Sequence, residues 1–260
     1  MRKVLCIEYK GTNYTGWQSQ TNQSKKTIQY HIDKAISYVA NEKIKSICAG
    51  RTDTGVHATN QIIHFDTKSN RTNFNWISGI NSRISNDIMV KNIFDVDESF
   101  HARFSAISRT YKYFILNAKL DSTFLSEYVL YYKDDLDLKL IRKTFNYILG
   151  EKDFSCFRSA GCQSSSPIKN ILKIDIKKRN NILIFTIEAN SFLYHMIRNL
   201  IGTLLDIGIK KTKPSFIQFL LDSKDRKKAG KMASSSGLYL TNIKYPKKFK
   251  IIQTKSLFLI

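Results

Sequence analysis

Two hydrophobic periods alternate along this chain in a fixed order, and the order occurs twice. Residues 4–9 read as a short strand. Ile28, Ile32, Ala35, Ile36 and Val39 then recur at the spacing of one helical face. Strand-like stretches follow at 44–49 and 61–65. Phe74, Ile77, Ile80 and Ile84 mark a second helix, and residues 88–94 a further strand. The order is β-α-β-β-α-β, a split βαβ unit.

The second half repeats it. Residues 110–116 read as a strand, and Leu138, Ile141, Phe145, Ile148 and Leu149 as one helix. Residues 171–177 and 182–189, joined by Arg179-Asn180-Asn181, carry a hairpin signal. Met196, Ile197, Leu200, Ile201, Leu204 and Leu205 form another helical face. A short helix is expected to start at Pro214, since proline suits a first helical turn, and residues 238–245 supply the last strand. The repeat is one of element order, without sequence identity between the halves. Two such units side by side would make one α/β sheet layered by helices, with a cleft between them. Residues 98–108 join the halves without a Gly/Pro-rich break.

Charge then narrows the class of partner. The 260 residues include 42 Lys+Arg against 21 Asp+Glu, a net charge of +21. Such a surface favours a polyanion, either nucleic acid or an anionic membrane, although part of the excess can be drift on a solvated surface. Basic clusters lie at Lys177-Lys178-Arg179, Lys210-Lys211-Lys213, Arg226-Lys227-Lys228-Lys231 and Lys247-Lys248-Lys250, alongside the exposed-looking aromatics Tyr245 and Phe249. That pattern suits a surface tracking a phosphate backbone. The apolar run behind Met1-Arg2-Lys3 is too short for a signal peptide, and no window has a membrane span's length. Cys6, Cys48, Cys156 and Cys162 form no C-x-x-C pair and fit thiols in a reducing cytosol. A cytoplasmic protein is expected.

Chemistry is concentrated in Gly50-Arg51-Thr52-Asp53-Thr54-Gly55-Val56-His57, a polar loop between two strands. Asp53 two residues from Arg51 can be a turn residue in a local ion pair. Equally, it can be a carboxylate held ionised by a guanidinium and available as nucleophile or base. Tyr111 in Arg109-Thr110-Tyr111-Lys112-Tyr113 is either core packing or a stacking surface for a base. Arg198 in His195-Met196-Ile197-Arg198 falls outside its helix's apolar stripe and can be an ordinary surface residue.

At these residues the chain resembles the tRNA pseudouridine synthase A family. The Gly50–Ala58 loop is similar to its signature. Gly11 with Tyr14-Thr15-Gly16-Trp17-Gln18, the segment His101-Ala102-Arg103-Phe104-Ser105-Ala106 and the Tyr111 strand are similar to further motifs of it. So are Phe192-Leu193-Tyr194-His195-Met196-Ile197-Arg198-Asn199 with Gly202, and Gly237-Leu238-Tyr239-Leu240 with Tyr245-Pro246. These landmarks run in order through nearly the whole chain.

The resemblance implies the α/β (α+β) pseudouridine synthase fold: two ferredoxin-like βαββαβ units forming one mixed sheet with a central cleft. Residues 1–105 would carry the aspartate loop, and 106–260 would form the basic, RNA-binding unit. It implies isomerisation of uridines 38, 39 and 40 in tRNA anticodon stem-loops by a homodimer, with no cofactor and no metal. It places Asp53 as nucleophile, Tyr111 stacked on the target base, Arg51 as the arginine that displaces the base, and Arg198 as the cation paired with Asp53. The site would then draw on both halves. His57, His101 and His195 are expected to hold local structure.

Three positions depart from the family pattern. Thr54 replaces the usual Ala, Lys169 replaces a common Arg and so weakens the case for a bidentate phosphate contact, and residues 233–236 lack a Pro before the Gly-Leu-Tyr motif. A non-catalytic RNA-binding module with the same element order is the main rival, but neither half contains the RNP1 strand it would need.

Overall fold

The computed structural model describes residues 1–18 and 26–252. It divides into two compact units, Met1–Arg109 with Tyr239–Ile260, and Thr110–Leu238. In chain order the elements are β1 (Arg2–Tyr9), α1 (Ile28–Ala40), β2 (Ile47–Cys48), β3 (His57–Asp66), α2 (Asn73–Asn81) and β4 (Ile88–Val96). Then follow β5 (Ser108–Asn117), β6 (Leu130–Tyr132), α3 (Leu138–Lys143), α4 (Phe145–Ile148), β7 (Gly150–Asp153), β8 (Ile168–Arg179) and β9 (Ile182–Ala189). The chain continues through α5 (Met196–Gly208), α6 (Phe216–Ser223) and β10 (Leu238–Lys244).

In the first unit the strands run β4-β1-β3-β10, with β2 on β3. The central strand β1 lies antiparallel to both neighbours, Cys6 opposite Ile62 on β3 and Leu5 opposite Ile93 on β4. Its run Val4–Ile7 is wholly buried, which explains an unbroken apolar stretch instead of strict alternation. Helix α1 buries the expected stripe of Ile28, Ile32, Ala35, Ile36 and Val39. The Thr27 side chain caps it by accepting from the Tyr30 N–H, and left-handed Asn41 ends it. Strand β3 begins at His57, earlier than its apolar pattern suggests, because Thr59, Asn60 and Gln61 are buried polar residues inside the strand. The last strand, β10, runs parallel to β3 with Tyr239 opposite His57.

The second unit orders its strands β5-β9-β8-β7, with β6 parallel to β5. The expected hairpin is β8–β9, turning on left-handed Asn180. The helix expected over 138–149 is instead two. Thr144 donates both its amide and its hydroxyl to the Ile141 carbonyl, at 3.0 and 2.6 Å, tightening the turn that separates α3 from α4. Strands β6 (Leu-Tyr-Tyr) and β7 (Gly-Glu-Lys-Asp) are too short to carry a periodic signal, and β7 is polar throughout. Helix α6 starts at Phe216, with Pro214 in the turn before it. Tyr245 and Phe249 also differ from expectation: both pack on Phe100, with ring centroids 5.0 and 5.1 Å away, and Tyr245 Oη donates to the Ala102 carbonyl at 2.6 Å. They are structural, not exposed stacking groups. No helix among the described residues is long and apolar enough to cross a membrane.

Candidate active site

The Asp53 loop leaves β2 and enters β3, and the first unit grips it from several sides. Gln61 Nε2 donates to the Gly50 carbonyl at 2.7 Å and approaches Tyr9 Oη at 3.4 Å. Tyr9 Oη in turn shares a 2.7 Å hydrogen bond with Thr52 Oγ1. The Thr52 carbonyl accepts from Trp17 N–H at 3.0 Å, and Gly55 N–H donates to the Tyr14 carbonyl at 3.3 Å. Val56 N–H closes the turn on the Asp53 carbonyl at 3.1 Å. Gly16 makes one of these approaches possible: its φ is +90°, and a Cβ there would lie 2.7 Å from the Thr52 carbonyl oxygen. Arg51 is exposed, Asp53 half-buried, and Thr54 exposed. The Thr54 methyl and hydroxyl therefore fit at this departure from the family pattern without displacing the loop.

His57 closes the far end. Its Nδ1 accepts from Gly11 N–H at 3.1 Å, and its ring stacks on Tyr239 at 4.6 Å. At the near end, Arg109 Nη2 donates to the carbonyls of Ala49, at 3.0 Å, and Arg103, at 2.6 Å. Burial drives the Cys48 thiol up to about 12, against the pull of the Arg51 and Arg103 guanidiniums. A thiol held protonated in this way is a poor nucleophile.

In the second unit, Tyr111 lies on β5, buried, its ring edge-on to Phe192 at 5.2 Å. Neighbouring Tyr113 is also buried and donates to the Ser234 carbonyl at 2.6 Å. Arg198 sits half-buried in the first turn of α5. Its Nε donates to the Ala233 carbonyl at 2.8 Å, while its own carbonyl accepts from Ala233 N–H at 3.1 Å. Gly202, one turn on, is needed for that seam: a Cβ there would meet the Lys231 carbonyl oxygen at 1.7 Å. Fully buried Asn199 bridges the same region, donating to Phe157 O at 2.8 Å and accepting from Arg226 Nη2 at 2.8 Å.

Of the sequence-predicted groups, Asp53 and Arg51 therefore share one loop of the first unit, and Tyr111 and Arg198 belong to the second. The sequence reading missed Tyr9 and Gln61. A run of polar residues, Thr59-Asn60-Gln61, leading into the apolar Ile62-Ile63 was the available signal, since a buried amide requires partners.

His101 Nδ1 accepts from the N–H groups of Arg103 and Phe104, each at 3.2 Å. His195 adopts a left-handed backbone ahead of α5, and its Nδ1 lies 3.1 Å from Ser159 Oγ. Burial, followed by Arg198 and Arg226, lowers the His195 pKa to about 4, so its ring is neutral. Lys169 is 7% exposed and directs its ammonium to Ser166 O at 2.8 Å and Ser164 Oγ at 3.1 Å, bracing its own loop. No group of three or more His, Cys, Asp and Glu side chains is arranged to hold a metal among the described residues.

A buried, hydrogen-bonded scaffold thus presents one aspartate on a Gly-bounded loop in a strongly basic chain, which suits an enzyme with a polyanionic substrate. The sequence profile of a tRNA pseudouridine synthase family matches residues 5–105 and 145–246, and the chain belongs to that family. As a member of it, the chain is an isomerase that converts uridine to pseudouridine in tRNA. Relatives named tRNA pseudouridine synthase A include that of Buchnera aphidicola subsp. Schizaphis graminum, 46% identical over 99% of this chain and 97% of its own. That of Aliivibrio salmonicida is 43% identical over 96% of this chain and 95% of its own. Among solved structures, a chain of the Cbf5-Nop10-Gar1 complex is similar at a TM-score of 0.38 and 10% identity, over 92% of this chain and 48% of that one.

Proposed function

We propose that this chain modifies uridines 38, 39 and 40, with Asp53 as the nucleophile. Isomerisation breaks the N1–C1′ bond, turns the base, and joins C5 to C1′, after which the C5 proton is lost to solvent. Bonds are exchanged without net redox change, so the reaction requires no electron carrier. Asp53 attacks either C6 of the base or C1′ of the ribose. The uridine must first leave the stack, at a cost of about a few kcal/mol. Tyr111 offers a replacement stack worth about 1–3 kcal/mol, Arg51 occupies the vacated space, and Arg198 is the cation that keeps the Asp53 carboxylate ionised. Residues 1–105 carry the nucleophile loop, and the basic clusters of 106–260 track the tRNA backbone. The protein acts in the cytoplasm as a homodimer.

The observation carrying this reading is the fixing of the Asp53 peptide at Gly50, Thr52, Gly55 and Val56 while its side chain stays half-buried. Catalysis by a positioned carboxylate needs that immobility, because misplacement by about 1 Å can cost 10²-fold in rate. Tritium release from C5-labelled uridine in tRNA tests it. Wild type releases tritium and Asp53→Ala releases none; release by Asp53→Ala would overturn the assignment.

A further inference from the structure

One family motif has no role in the chemistry above, the turn His101–Ala106, and its most exposed residue is an aromatic. Phe104 is 76% exposed, yet every residue leading to it is pinned. His101 N–H donates to Ser105 Oγ at 3.0 Å, and Ser105 N–H returns to the His101 carbonyl at 2.8 Å. Ala102 N–H donates to His64 Nδ1 at 3.1 Å, and Ala102 O accepts from Tyr245 Oη at 2.6 Å. The Arg103 and Phe104 N–H groups both go to His101 Nδ1. One face of the Phe104 ring stacks on the His101 imidazole at 4.3 Å and 28°. The Arg103 guanidinium lies 5.5 Å from the ring centroid.

The ring is thus largely in water while its backbone and one of its faces are fixed. Backed by imidazole, it is a preorganised stacking surface, since a ring already ordered loses little entropy on binding. Its position relates it to the chemistry: Arg109 ties the Arg103 carbonyl and the Ala49 carbonyl, at the root of the Asp53 loop, to one guanidinium. Arg51 and Arg103 are both exposed, and both guanidiniums act on the Cys48 thiol at the root of the loop, so two cations lie in its neighbourhood. Aromatic rings interleaved with arginines suit a nucleobase flanked by phosphates.

We infer that Phe104, supported by His101 and flanked by Arg103, stacks on an unpaired nucleobase of the tRNA anticodon arm close to the target uridine. This rests on the reading of the Asp53 loop as the catalytic loop. It adds a second base contact to the one assigned to Tyr111.

The test measures binding and spectra, so it stays separate from turnover. With an anticodon stem-loop RNA, Phe104→Ala is expected to weaken affinity about 5- to 100-fold, with an unchanged slope of log Kd against log salt. Arg103→Ala lowers that slope by about 0.7 to 0.9, as loss of one phosphate contact requires. Phe104→Trp keeps affinity within about twofold of wild type, and its added indole emission is quenched at saturating RNA relative to wild type, whose Trp17 and Trp76 are buried. Emission unmoved at saturation overturns the stack, as does an affinity of Phe104→Ala within twofold of wild type. A change in oligomeric state of Phe104→Ala without loss of RNA affinity also overturns it, assigning the ring to a protein contact. All binding is repeated in Asp53→Ala. Tritium release by that variant would overturn the catalytic assignment while leaving the stacking result standing.

Discussion

A Cβ on Gly11 would lie 2.0 Å from the carbonyl oxygen of Val56, so the segment before the first helix and the exit of the Asp53 loop touch through bare backbone. Neither side can rotate away as a side chain would. Gly11→Ala is therefore expected to push the two segments apart, at about 1–3 kcal/mol, and to displace Asp53. Turnover should fall by about 100-fold, measured by tritium release beside urea unfolding.

Tyr9→Phe removes one oxygen and leaves the aromatic packing. The buried Thr52 hydroxyl and the Gln61 amide both lose the Tyr9 oxygen as a partner. A stability loss of about 1–2 kcal/mol is expected. Turnover should fall by more than KM for tRNA rises, because the loop that reorients carries Asp53 and Arg51 while the basic clusters elsewhere stay in place. Steady-state kinetics on a labelled tRNA separates the two.

Gly202→Ala disturbs the second unit in the same way. Its methyl group would occupy the place of the Lys231 carbonyl oxygen, forcing residues 231–233 off α5. Arg198 loses the Ala233 carbonyl that orients its Nε. Activity should drop more than in Asn242→Ala, an exposed control on β10. The same tritium assay reads it, with thermal melts to measure the loss of fold.

Acid should destabilise the protein through its buried imidazoles. Burial, with His101 and Arg2 nearby, lowers the His64 pKa from 6.5 to about 4. His195 shifts to a similar value, again through burial first. A lowered folded-state pKa gives stability that is present above 6.5 and lost as pH falls toward 4. Thermal midpoints are expected to decline across that window. In His64→Gln the decline should be shallower, the remaining slope reflecting groups such as His195.

Much of this fold was legible where a helix carries a clean stripe: the five apolar positions expected in α1 are all buried, whereas in α2 the expected Phe74 is exposed, Trp76 is buried instead, and Ile84 lies beyond the helix end. The hairpin β8–β9 was equally plain, with Asn180 marking its turn. What escaped was short or polar. β6 and β7 have three and four residues, too few for a period to register. The break at Thr144 came from one hydroxyl bonding to the previous turn, a choice that apolar spacing does not encode. At the site, the glycine-bounded loop stood out by its unusual polarity, whereas Tyr9 and Gln61 lay hidden inside strands. Their function depends on register, which brings residues 52 apart in sequence into contact. Tyr245 misled for the opposite reason: a basic neighbourhood suggested exposure, while its hydroxyl was already engaged within the protein.

The parallel pairing of β10 with β3 also sets a timetable. Asn60 Nδ2 donates to the Thr241 carbonyl at 2.9 Å across 181 residues of sequence, and Tyr239 stacks on His57 in the same place. On the ribosome, the strand that follows the Asp53 loop is made well before its neighbour β10. Folding during synthesis can build the rest of the first unit, but not this seam. Until β10 is made, a nascent chain therefore holds the Asp53 loop beside an unfinished edge, and the loop is fully braced only once Tyr239 and Thr241 dock.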